Sequence, residues 1–189
     1  MKVLINPGHG GKDCGAVGFG LNESDVAYCI GARVESYLRK FGLTTKLFQY
    51  DGLETICNES NKFNADIFVS IHCNAFNGTA NGTETYNFYN SAEGNKLATA
   101  IHLQILKAFP EIADRGVKEA GYYVLAATNC PAVLVETAFI DNQQDNLLLK
   151  NHTEEFAVAI GKGILLYLGI KPDAIVVPTD ACPFCGKKL

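Results

Sequence analysis

Strand-like and helix-like segments alternate along almost the whole chain, and this alternation restricts the fold more than any other feature. Short runs rich in β-branched and aromatic residues at 2–6, 44–48, 66–72, 83–89, 121–126 and 132–140 read as strands. Between them, 24–41, 54–63, 93–109 and 153–168 read as helices, and 144–150 as a helical turn. In the first helix Val26, Ile30, Val34, Tyr37, Leu38 and Phe41 recur at helical spacing, and Gly42 ends it. Strands separated by helices need crossover connections, which lay helices on both faces of a mainly parallel sheet. The expected fold is therefore α/β: one domain over residues 1–170, a mainly parallel twisted sheet with helices on both faces. Residues 171–189 read as a linker and a short tail, DACPFCGKKL.

Composition excludes several alternatives. With 48% hydrophobic and 19% charged residues the chain can bury a core, unlike a disordered segment. No apolar run reaches the ~18 residues that a membrane span requires. A net charge of −4 without a basic stripe argues against a nucleic-acid partner.

In open α/β sheets, ligands bind beyond the carboxyl ends of the strands, and three polar residues fall at such places. His9 follows the first strand, His72 closes the 66–72 strand, and Glu136 lies within the apolar run AVLVETAFI. An ionised carboxylate in a buried strand costs several kcal/mol unless compensated. A structural ion pair or an edge strand would supply an ordinary explanation for Glu136, but Val133, Val135 and Phe139 argue against an exposed edge. His9 sits in a Gly-rich loop that matches neither GxxxxGK[ST] nor GxGxxG. Either histidine alone would read as a turn or packing residue. Two histidines after separate strands point instead to a metal, because neutral imidazole is a common zinc ligand and catalytic zinc keeps three protein ligands plus water. Asp13, Glu23 and Asp25 are the candidates for the third ligand, and spacing does not choose among them. His102 and His152 read as surface or cap residues. Cys73 follows His72 on the same strand and so points to the opposite face.

Four blocks of sequence, in order along the chain, carry a resemblance. INPGHGGKDCGAVG, then Glu23 opening a helix, then SIHCNA at 70–75, then PAVLVETAFIDN at 131–142 together resemble the zinc-dependent N-acetylmuramoyl-L-alanine amidases of the amidase-3 type, found in autolysins and phage endolysins. The likeness runs from Lys2 to Gly169. It implies one catalytic Zn2+ held by His9, Glu23 and His72, with Glu136 as the catalytic carboxylate; the chain departs from the family in having Asn6 where the family often has Asp. The substrate implied is peptidoglycan, cut by zinc-activated water at the amide between N-acetylmuramic acid and L-alanine. The rivals are a zinc peptidase acting on stem peptides and a non-catalytic wall-binding module of the same fold. Asn74, Arg115 and Tyr122 are candidate substrate contacts, and the turns at 77–82 a candidate groove wall. Arg115 reads equally as a solvated surface residue.

Two expectations concern the ends of the chain. Val3–Ile5 is too short an apolar stretch for a signal peptide, so the expected route is synthesis in the cytoplasm and action on the wall after release, by host lysis if phage-encoded. Cys182 and Cys185 resemble one knuckle of a zinc ribbon, which needs four ligands. A second zinc shared between two chains, making a homodimer, would complete it.

Overall fold

The computed structural model describes residues 1–172. In chain order it comprises β1 (Lys2–Pro7), β2 (Val17–Gly18), β3 (Leu21–Asn22), α1 (Glu23–Arg39), β4 (Thr44–Leu47), α2 (Leu53–Phe63), β5 (Ile67–Asn74), β6 (Thr83–Asn87), α3 (Ala92–Ala108), β7 (Asp114–Glu119), α4 (Tyr123–Ala126), β8 (Ala132–Phe139), α5 (Gln143–Asn151) and α6 (Thr153–Tyr167). Six strands form one sheet in the order β4-β1-β5-β8-β6-β7, and β2 and β3 make a small hairpin within the Gly-rich loop. The ladders β1–β4, β1–β5, β5–β8 and β6–β7 are parallel, whereas β6–β8 is antiparallel. The expected α/β architecture and mainly parallel sheet are what the chain adopts.

Side-chain alternation divides the sheet into two unequal faces. Val3 and Ile5, Ile67, Val69 and Ile71, and Val133 and Val135 point to one side, where α1, α3 and α6 cover them with Val26, Ile30, Leu97, Ile101, Ile160 and Ile164. Leu4, Phe68 and Leu134 point to the other side, which is covered by Ile56 and Cys57 of α2 and by Val124 and Leu125 of α4. That second cover is only 11 and 4 residues long, so it leaves the carboxyl ends of β5 and β8 open. Asn6 joins β1 to its neighbours there: its Oδ1 accepts from Ser70 Oγ at 2.9 Å, and its Nδ2 donates to the Phe48 carbonyl at 2.9 Å.

Two expectations require correction. The strand expected at 121–126 is the short helix α4, because a run of four apolar residues is ambiguous between the two forms. The strand β7, DRGVKE, is absent from the sequence reading. It lies at the sheet edge, where one face needs no apolar partner, and its charges blunt that edge. The tail, with Cys182, Cys185 and the second zinc expected there, lies outside the described residues. Among those residues no helix is long and apolar enough to cross a membrane.

Candidate functional site

The open strand ends form the floor of a cleft of about 780 Å³. His9 enters it from the loop after β1 with φ 60°, a left-handed conformation that is uncommon for a non-glycine residue and concentrates at functional positions. His72 comes from β5 and Glu136 from β8, where the two are register partners. Glu23 is the first residue of α1, which the β2–β3 hairpin delivers to the cleft, and a carboxylate suits a helix N-terminus.

His9, Glu23 and His72 each present a ligand atom, and those atoms all lie within 4.8 Å of one another. His9 Nε2 is 3.0 Å from Glu23 Oε2, and His72 Nδ1 is 2.9 Å from Glu23 Oε1. Backbone N–H groups of Ala16 and Cys73 also donate to the Glu23 carboxylate, at 2.9 and 3.1 Å. Burial alone would raise the Glu23 pKa, but the hydrogen bonds from His72 and His9 outweigh it and hold the carboxyl well below its ordinary range. On the far side of the His9 ring, Nδ1 donates to Asp13 Oδ2 at 2.7 Å, while Asp13 Oδ1 accepts from the Gly15 N–H at 2.9 Å. With carboxylates at both ring nitrogens, the bond to Glu23 first and that to Asp13 second against a cost of burial, His9 is pushed up to about 9. Gly15, at φ 66°, closes this corner: a Cβ there would lie 2.6 Å from both Glu23 Oε2 and the His9 ring.

Glu136 keeps some exposed surface, but its Oε2 is shielded and has no hydrogen-bond partner. Burial pushes its carboxyl up to about 7, opposed by His72 and reinforced by the negative charges of Glu23 and Glu84. A partnerless carboxylate oxygen beside three convergent N and O donors is what one cation and the group it activates would satisfy. Two imidazoles and one carboxylate form a donor set suited to Zn2+.

The other candidates separate. Asp13 bonds the outer nitrogen of His9 and is not one of the three convergent donors, and Asp25 is exposed and accepts from Asn22 Nδ2 at 3.2 Å. Asn74 and Tyr122 line the cleft. Arg115 and the turns at 77–82 do not. Arg115 is engaged instead by Glu84, donating from Nε to Oε2 at 3.0 Å, with its guanidinium over the Phe139 ring. His102 is not a surface residue. It is buried, bonds Asp114 through Nε2 at 2.8 Å, and has Nδ1 3.3 Å from Thr85 Oγ1. The reason is β7, which supplies Asp114. His152 is partly exposed between α5 and α6 and pairs with Glu155.

Sequence reasoning misses Glu84. It is buried on β6 as the register partner of Glu136, so His72, Glu136 and Glu84 form a row across three adjacent strands. Asn74 Nδ2, the Tyr86 hydroxyl, Arg115 Nε and Lys118 Nζ all donate to its carboxylate. The signal in the sequence is an acid among β-formers in Thr83–Asn87, but two of its four donors lie on the unexpected β7.

This arrangement defines a class of α/β domain that offers a cation three donors at its strand ends, beside a carboxylate across the ladder. Residues 3–165 match the family model described as N-acetylmuramoyl-L-alanine amidase. The chain is 38% identical over 174 residues to N-acetylmuramoyl-L-alanine amidase LytC of Bacillus subtilis (strain 168), covering 87% of this chain and 35% of LytC. It is 35% identical over 182 residues to the endolysin of Bacillus phage SPP1, covering 89% of this chain and 66% of the endolysin. The structure of N-acetylmuramoyl-L-alanine amidase AmiC2 of Nostoc punctiforme superposes with a TM-score of 0.85 at 36% identity, covering 89% of this chain and 97% of that one. The chain belongs to the N-acetylmuramoyl-L-alanine amidase family. It spans about a third of the length of LytC.

Proposed function

We propose that the protein hydrolyses the amide joining the lactyl group of N-acetylmuramic acid to L-alanine in peptidoglycan, with one Zn2+ held by His9, Glu23 and His72. The observation that carries this reading is the convergence of those three donors beside Glu136, whose Oε2 lacks a partner. The chemistry supplied by a bound Zn2+ is polarisation of the amide carbonyl and easier ionisation of water.

The protein's own groups supply the rest. Glu136 accepts a proton from the water that adds to the carbonyl carbon. It returns a proton to the alanine nitrogen as the C–N bond breaks, leaving a lactyl carboxylate and a free alanine amine. A carboxyl raised to about 7 is matched to moving a proton in both directions near neutrality. His9, Glu23 and His72 hold the cation, and Asp13 fixes the His9 ring so that Nε2 faces inward. The protein's place of action in this reading is the bacterial cell wall, where its peptidoglycan substrate lies.

Purified protein incubated with isolated walls should release new alanine N-termini. Other N-termini would make it a peptidase, and adhesion without cleavage a binding module. Glu136→Gln keeps the shape but accepts no proton at neutral pH. It should fold, retain zinc and lose about 10²–10⁴ in turnover, equivalent to roughly 3–5.5 kcal/mol. Loss of zinc with activity would make Glu136 a ligand.

A further inference from the structure

Exposed aromatic and apolar side chains gather on one wall of the cleft. Tyr50 is 46% exposed, Leu53 53%, Tyr122 41% and Tyr123 48%, and all four line the cleft that holds His9, Glu23, His72 and Glu136. The rings are braced from behind. Tyr50 stacks on Phe48 at 6.1 Å between centroids, and Tyr122 meets Tyr86 edge-on at 5.2 Å. The rest of the lining includes Gly8, His9, Asp13, Gly15 and Ala16 of the loop after β1, with Asn74 and Ala75. Contiguous exposed apolar surface of this sort marks a binding surface.

We propose that this wall, with Asp51, is the glycan subsite: it stacks the sugar rings that flank the muramyl residue being cleaved. The inference rests on the amidase reading above and names the part of that substrate that the wall receives. The cleft is lined by Asp13, Glu23, Asp51 and Glu136 and, among the described residues, by no lysine or arginine. No lysine or arginine of that lining is there to pair with the carboxylates of a stem peptide, whereas the exposed rings offer flat apolar faces to a neutral sugar. Amino sugars whose only acid is already tied up as the amide are neutral. Their C–H faces carry slight positive charge and suit the negative faces of aromatic rings, while their hydroxyls can donate to the Asp51 carboxylate.

The test compares two soluble substrates, a tetrasaccharide carrying stem peptides and a single N-acetylmuramyl peptide, on the zinc-loaded protein. Turnover of either by the wild type, with release of alanine N-termini, tests the amidase reading separately. The inference expects the wild type to have the higher kcat/KM on the tetrasaccharide. Tyr50→Ala and Tyr123→Ala should each reduce the ratio of the two kcat/KM values about 3- to 10-fold, and Tyr50→Phe and Tyr123→Phe should restore it. Overturning results are a ratio that the alanine variants leave unchanged, whether both rates fall alike or neither falls, or phenylalanine variants as impaired as the alanine ones. A thermal melt matching the wild type excludes loss of folding as the cause of a changed ratio.

Discussion

At the scale of single residues, the His9 loop of the proposed zinc site pairs the proposed ligand, His9, with the carboxylate that orients its ring, Asp13. Asp13 is legible in the sequence as an acid close to His9, but not in its role. A carboxylate four residues from a histidine can face either ring nitrogen, and the choice depends on the left-handed turn at His9 and on Asp13 being held by the Gly15 N–H. Outer partners of metal-bound histidines fix tautomer and ring orientation, and their loss typically costs 10–100-fold in metal affinity. Asp13→Ala should therefore weaken zinc binding about 10–100-fold in competition with a chelator of known affinity. Asp13→Asn, which can still accept from Nδ1–H, should fall between that variant and the wild type. Unchanged affinity in Asp13→Ala would remove Asp13 from the site. The Glu136 position is the most readable of all, because an acid in AVLVETAFI demands a reason wherever the strand lies. Its partner Glu84 is hidden because its meaning depends on strand pairing rather than on local pattern.

Among the elements, the long helices are legible and the short ones are not. Helical periodicity over 15–17 residues leaves little doubt about α1, α3 and α6. The four residues of α4 carry no such signal, and β7 is an edge strand with one apolar residue, Val117. The glycines in α6 admit close packing of its neighbours. A Cβ at Gly163 would clash with the Cα and N atoms of Ile101 on α3. Gly163→Ala gains up to about 1 kcal/mol of helix propensity. The obstructing atoms are backbone and have no rotamer to change, so overpacking costs about 1–3 kcal/mol and is expected to win. A net destabilisation of about 1–2 kcal/mol in denaturant unfolding, with zinc affinity unaltered, is the expected outcome. A variant as stable as the wild type would show that α3 and α6 can separate without cost.

For the molecule as a whole, the proposed zinc site and the fold's stability are coupled through protons. Without metal, His9 titrates near 9 in the folded state against about 6.5 unfolded, so its contribution is complete below 6.5 and is lost as pH rises through 9. Glu136 acts in the same direction. Its folded value near 7 exceeds the ordinary 4.5, so the folded state holds the extra proton between these values and stability falls as pH rises from about 4.5 to 7. Glu23 opposes both only in acid, since its depressed carboxyl loses its stabilising effect as pH drops below its ordinary range. The metal-free protein should accordingly lose stability from about pH 5 to pH 9. Zinc reverses the slope, because a bound His9 must give up its Nε2 proton and the cation competes with that proton. Apparent zinc affinity should rise about tenfold per pH unit across roughly 7–9. The increase in melting temperature on adding zinc should grow over the same interval. Titration calorimetry in buffers of different ionisation enthalpy should register about one proton released per zinc near about pH 8. If affinity and proton release are flat across that range while zinc still binds, His9 is not a ligand, and the cation is held by groups that have no proton to lose.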